Sequence, residues 1–242
     1  MAETRTLEEL LERKRELLAN AIRNPELGKR LRELRAWQAA RLARTYADLR
    51  AQPRYRLAVE FFLSDIYADD NFTQRDRELA RGASHLRRAL PKALVDILRQ
   101  ALELDVLTEE FDQAMAAQFS AAPTGSSYAL AYRSLGRRAD RQRQIDLIGA
   151  IGGALDAVVR RRWLGLALRA ARAPAHLAGL GVLHDFLERG WAAFRALPQD
   201  NHLLSDIRTR ETALMDALFE GKTNPFAAAP PVRAAGTTLG AA

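Results

Sequence analysis

Cysteine is absent from all 242 residues. That excludes disulfides, thiolate nucleophiles, cysteine-bound zinc and thiolate-held iron–sulfur clusters. Long apolar runs are missing as well. No stretch approaches the roughly 18 uninterrupted apolar residues of a membrane span, and Met1-Ala2-Glu3-Thr4-Arg5 lacks the apolar core of a secretory leader. The expectation is a cytoplasmic protein. The 48% of hydrophobic residues is enough for a sizeable core and argues against general disorder.

Familiar catalytic and ligand-binding signatures are also lacking. There is no Gly-x-Ser-x-Gly, no Walker loop and no Gly-x-Gly-x-x-Gly; Gly179-Leu180-Gly181 has neither the third glycine nor a preceding strand. None of His85, His176, His184 and His202 has a glutamate three residues before it; Gly82, Ala173, Gly181 and Gln199 stand there instead. The Glu-x-x-His face of di-iron bundles is therefore missing, and so is His-Glu-x-x-His. These gaps give the expectation of no catalytic residue, no metal site and no cofactor, and lean away from an enzyme.

What the chain does have is helical periodicity. Thr6-Leu7-Glu8-Glu9 is a capping box, in which hydroxyl and carboxylate each satisfy a free amide at the helix start. Asn24-Pro25 and Pro53 restart the chain, since proline has no amide to lose in a first turn. Helices are expected at about 7–23, 26–51, 54–68, 73–90, 91–104 (opened by Pro91), 108–119 (capped by Thr108), 127–159 (weakened at Gly136), 161–172 (stopping before Pro174), 175–197 and 202–220. With no alternating strand pattern and no internal repeat, the fold reads as all-α, a bundle of eight to ten helices. Ser120 to Ser127 is a linker signal. Residues 1–221 thus form one helical domain or two abutting halves, 1–119 and 127–221. Residues 222–242, rich in Ala, Pro, Gly and Thr, are expected to be a disordered tail.

The formal charge is +7, and arginine carries it: only Lys14, Lys29, Lys92 and Lys222 are lysines among 37 basic residues. Residues 121–180 hold ten arginines against Asp140, Asp146 and Asp156, a net +7. A field of that sign favours an acidic protein surface or an anionic small molecule, and leaves nucleic acid open as a partner. The few aromatics do not interleave with arginine as base-stacking platforms would. Arg133, Arg137 and Arg141 fall on one helical stripe. Arg161, Arg162, Arg169 and Arg172 share a face with Gly165, while Trp163, Leu164, Leu166 and Leu168 occupy the rest. That pattern fits an ordinary surface helix with its apolar side in the core, or a segment lying on a peripheral anionic membrane. These seven arginines are the expected contacts to a partner or ligand, through charge-assisted hydrogen bonds.

Two further constellations are candidates for a ligand site. His184 sits among apolar residues, with Glu188 one turn on to accept its ring proton, an arrangement open to a haem-type ligand. Glu60, Ser64 and Tyr67 line one edge of Glu60-Phe61-Phe62-Leu63-Ser64-Asp65-Ile66-Tyr67, with Asp65 and Asp69 one turn apart. This run, followed by Phe72, Arg75 and Asp76, resembles an uncharacterised all-helical family of proteobacterial proteins over about residues 55–115. The resemblance implies no activity. The expected function is a non-enzymatic helical binding protein whose basic second half contacts an acidic partner or anionic ligand. A small-molecule or haem-type binding bundle and a membrane-surface protein are the alternatives.

Overall fold

The computed structural model describes residues 5–66, 74–75, 77–82, 90–199 and 201–226. Among them are ten α-helices and no strand. They are α1 (Leu7–Arg23), α2 (Pro25–Thr45), α3 (Ala47–Ala51), α4 (Pro53–Phe61), α5 (Lys92–Ala116), α6 (Gly125–Ser134), α7 (Arg138–Val159), α8 (Arg162–Leu177), α9 (Gly181–Arg195) and α10 (Leu203–Phe219). A π-helical turn, Phe62–Ile66, continues α4, and residues 77–82 are also helical. No helix of the described residues is long and apolar enough to cross a membrane.

Local chemistry explains most boundaries. Thr6 caps α1 as expected: its hydroxyl accepts the Glu9 amide at 3.2 Å, and the Thr6 amide donates to Glu9 at 2.7 Å. Asn24 caps α2, accepting the Leu27 amide. Gly136, at φ +64°, separates α6 from α7, a left-handed conformation that suits a residue without Cβ. Several boundaries differ from expectation. The helix expected over 26–51 breaks at Tyr46 into α2 and α3, and the one expected over 175–197 begins only at Gly181. Thr108 caps nothing; its hydroxyl donates to the Leu104 carbonyl at 2.8 Å inside one continuous helix, α5. α8 runs through Pro174 and ends only at Leu177. The helix expected over 54–68 widens into the π turn, where the Ser64 hydroxyl donates to the Glu60 carbonyl at 2.7 Å.

One apolar cluster joins Leu31 and Leu34 of α2, Met115 of α5, Tyr128 and Tyr132 of α6, Ile145 of α7 and Leu218 of α10. Side chains from both sides of residues 120–127 thus share a core. Residues 222–226, expected to belong to the tail, end on Phe226, which packs edge-on against Trp37 and Tyr128. The remainder of the expected tail, 227–242, lies outside the described residues.

A second interior layer is charged. Glu109 of α5 accepts from Lys14 of α1 at 3.3 Å, from Arg35 of α2 at 2.8 Å and from Gln113 at 3.1 Å. Lys14 also pairs with Asp105 at 2.8 Å, and Gln38 donates to Asp112 at 3.0 Å. Burial alone would raise the Glu109 carboxyl, but Lys14 and Arg35 outweigh it and hold the group below the usual range. At Asp112 burial wins, and its carboxyl is pushed up despite Arg35 and Gln38.

Candidate functional site

The arginines of the basic band divide into two groups. Those of α6–α7 are largely engaged within the fold. Arg137 pairs with Asp140 at 2.7 Å and Glu110 at 3.4 Å, and its guanidinium lies over the Phe111 ring. Arg138 pairs with Asp216, and Arg143 with Glu103. Arg141, expected at a partner surface, is only 9% exposed. Its guanidinium is sandwiched between Phe111, 3.5 Å from the ring centroid, and Tyr132, at 4.3 Å. Arg133 is exposed and approaches the Gly221 turn.

α8 is different. From Ala157 to His184 the chain has no carboxylate, yet it holds five arginines and two histidines. The side chains of Arg161 and Arg162 are exposed and have no ion-pair or hydrogen-bond partner among the described residues. Arg169 donates only to the Gly165 carbonyl of its own helix, at 3.2 Å. Gly165 is the only buried residue of α8. The expected burial of the helix's apolar side is met only in part: Leu164 and Leu168 are half-buried, but Trp163 is 45% exposed, Leu166 61% and Leu177 90%. Trp163, Leu166, Ala170, Ala173 and Leu177 recur at i, i+3, i+7, i+10 and i+14, which places them in one outward stripe. Arg162 and Arg169 run along one edge of it.

Four ties hold α8 to α9. A Cβ built on Gly165 would lie 2.5 Å from Trp191 Cζ2, so the missing side chain is what lets the indole seat against the α8 backbone. Gly165→Val should therefore cost about 1–3 kcal/mol by overpacking, read by urea unfolding, and should speed amide hydrogen exchange in α8 before the rest of the chain. Arg172 pairs with Glu188 at 3.2 Å. Glu188 is thus taken by an arginine, and the pairing expected between Glu188 and the His184 ring is not formed. His184 Nε2 instead donates to the Leu168 carbonyl at 2.9 Å, because a carbonyl can only accept. Finally, His176 Nε2 lies 3.0 Å from Asp185 Oδ1. The connection between the helices is a Schellman turn: Gly179 sits at φ +70°, the Leu180 amide donates to Ala175 and the Gly179 amide to His176.

That turn brings His176, His184 and Asp185 together, with one ligand atom of each within 4.8 Å of the others. A scan for ligand spacings along one helix misses such a group, because the chain reverses between its members.

The other sequence candidates are scattered. Glu60, in α4, pairs with Arg50 of α3 at 3.6 Å. The Asp65 side chain, Tyr67, Asp69, Phe72, Asp76 and His85 lie outside the described residues. A cavity of about 380 Å³ is lined by Leu11, Lys14, Arg77, Arg81 and Leu102, among others, and by none of the predicted arginines nor His184.

A family model described as a domain of unknown function (DUF8198) matches residues 17–225. The chain belongs to that family. No curated protein and no solved structure matches it. The match covers α2 to α10 whole, so the α8–α9 hairpin lies within the shared domain.

Proposed function

We propose that the chain is a non-enzymatic binding protein whose contact surface is the outward face of α8, and that its partner is an acidic helical segment of another protein. The observation that carries this reading is the stripe of Trp163, Leu166, Ala170, Ala173 and Leu177, edged by Arg162 and Arg169 on a helix with no carboxylate. A soluble surface helix ordinarily turns such a stripe inward; outward apolar stripes mark interaction sites. Apolar anchors at i, i+3 and i+7 suit a helix packed alongside, and the arginine row on one edge selects a partner that carries carboxylates there. Ala170 and Ala173 at the middle of the stripe let a second helix backbone approach closely. A membrane surface rewards bulky side chains at those positions instead.

The test is a photo-crosslinking residue placed at Leu166 in the full chain, activated in the native cell. The expected result is a defined protein adduct whose crosslinked segment is an acidic amphipathic helix. Arg162→Glu with Arg169→Glu should lower adduct yield by at least about tenfold, since like charges then face each other, with the circular dichroism spectrum unchanged. An adduct insensitive to the charge reversal would refute the reading. So would sedimentation of the chain with phosphatidylglycerol vesicles in place of a protein adduct.

A further inference from the structure

We propose that His176, His184 and Asp185 form a binding site for one divalent transition ion of the zinc class, clamping α8 to α9. The inference stands on the geometry of the helix turn and does not depend on what the outward face of α8 binds.

His184 carries the argument. Its side chain is 5% exposed, and Nδ1 has no hydrogen-bond partner. A buried ring nitrogen without a partner is costly and calls for an explanation. Because Nε2 holds the proton for the Leu168 carbonyl, Nδ1 presents a lone pair. Asp185 Oδ1 lies 3.7 Å from Nδ1, too far for a hydrogen bond. A metal-ligating histidine ordinarily has this arrangement: one nitrogen toward the ion, the other donating to a carbonyl or carboxylate that fixes the tautomer. His176 Nε2 approaches the same carboxylate oxygen at 3.0 Å from the other helix.

The spacing suits an ion. Ligand atoms about 2.0–2.2 Å from a tetrahedral zinc lie roughly 3.4 Å from one another. The two carboxylate–imidazole separations, 3.0 and 3.7 Å, straddle that value. The imidazole nitrogens, within 4.8 Å of each other, need a small closure. Two imidazoles and one carboxylate are a borderline donor set, which favours Zn²⁺, Co²⁺, Ni²⁺ or Cu²⁺ over Mg²⁺ and Ca²⁺. Three protein ligands leave a position for water.

The surroundings hold the ligands in place. A Cβ on Gly181 would lie 2.8 Å from His176 Nδ1, so this glycine makes room for the imidazole. Gly181 is therefore a positioning residue. The buried Glu78 carboxylate accepts the Leu183 amide at 2.9 Å and fixes the first turn of α9, immediately before His184 and Asp185.

The experiment uses the untagged full chain, stripped of metal and titrated with Zn²⁺ by calorimetry and with Co²⁺ by visible absorption. One ion per chain and tetrahedral Co²⁺ bands are expected. His176→Ala and Asp185→Asn, both at partly exposed positions, should each weaken binding by more than about tenfold while leaving helicity intact. Gly181→Ala should weaken it by displacing the His176 ring, and Zn²⁺ should raise the thermal midpoint of the native chain but not of His176→Ala. His85→Ala and His202→Ala should bind as the native chain does. Absence of binding by the native chain would overturn the proposal. So would binding that survives His176→Ala and Asp185→Asn, or that is lost in His85→Ala or His202→Ala, since the ion would then lie elsewhere.

Discussion

Glu109→Gln is expected to destabilise the chain by about 3 kcal/mol, the low end of what breaking a buried ion pair costs. The substitution keeps the shape and removes the charge. Lys14 and Arg35, which converge on Glu109 from α1 and α2, then lose the carboxylate they share and keep Asp105 and Asp112 nearby as counter-charges. The side chain of Lys14 is 6% exposed, so water cannot replace what is lost. Asp105 and Asp112 still compensate in part, which holds the cost at the low end. For a chain of this length the thermal midpoint should fall by roughly 6–12 °C. Glu12→Gln is the matched control: Glu12 also pairs with an arginine, but at the surface. Its loss should stay within about 0.5 kcal/mol. Equal midpoints for the two variants would show that the buried network adds nothing.

The same pair of carboxylates sets a pH dependence. Glu109 is depressed, so its stabilisation is present above the ordinary glutamate range and lost as pH falls through its folded value. Asp112 is raised, so the folded state takes up its proton first and gains relative stability over the same acid window. The two slopes oppose each other in the native chain. Glu109→Gln removes the Glu109 slope and lessens that of Asp112, which the Glu109 charge helps to raise. With the larger loss at Glu109 itself, unfolding followed from pH 6 to 3 should show a shallower acid limb.

The fold class was legible because the helix signals here are local. Thr6 with Glu9, Asn24 with Pro25 and Gly221 after Phe219 each act within a few residues, and each sits where such a signal belongs. Signals that depend on neighbours misled. Pro91 does precede a helix start, but Thr108, a good cap residue, is spent on a carbonyl inside α5. Pro174 sits in the last turn of α8, where its missing amide frees only the exposed Ala170 carbonyl, which water can satisfy. The candidate site was legible only in part for the same reason. Helical spacing placed Arg161, Arg162, Arg169 and Arg172 on one face but not which side of α8 faces solvent. That is decided by Gly165, where the Trp191 indole from another helix takes the space a side chain would fill. Likewise Glu188 stands one turn from His184, but Arg172 reaches it across the hairpin.

Arg141 shows why charge on a sequence stripe does not identify a binding surface, and Arg141→Glu should destabilise the fold severely, lowering the urea midpoint far more than a surface charge reversal does. A carboxylate at that position would face the electron-rich ring faces of Phe111 and Tyr132, in place of a guanidinium 3.5 and 4.3 Å from their centroids. It would also repel the buried Asp112, whose charge Arg141 helps to offset. An uncompensated buried charge costs about 3–5 kcal/mol, and total stability is about 5–15 kcal/mol. Arg141→Met tests the other side of the account. Arg141 has no ion pair within the fold's described residues, its Nε is buried without a partner, and Nη2 leans on the Met115 sulfur at 3.2 Å. Methionine keeps the apolar packing against both rings and removes the desolvated guanidinium, so urea unfolding should register a change below about 1 kcal/mol. A severe loss in Arg141→Met would mean that the cation itself, through the two rings and Asp112, holds α5 to α6 and α7. Arg162→Glu, at an exposed position of α8 with no partner, should leave unfolding unchanged while reducing capture by the partner. The three variants together separate an arginine that builds the fold from one left over for contact.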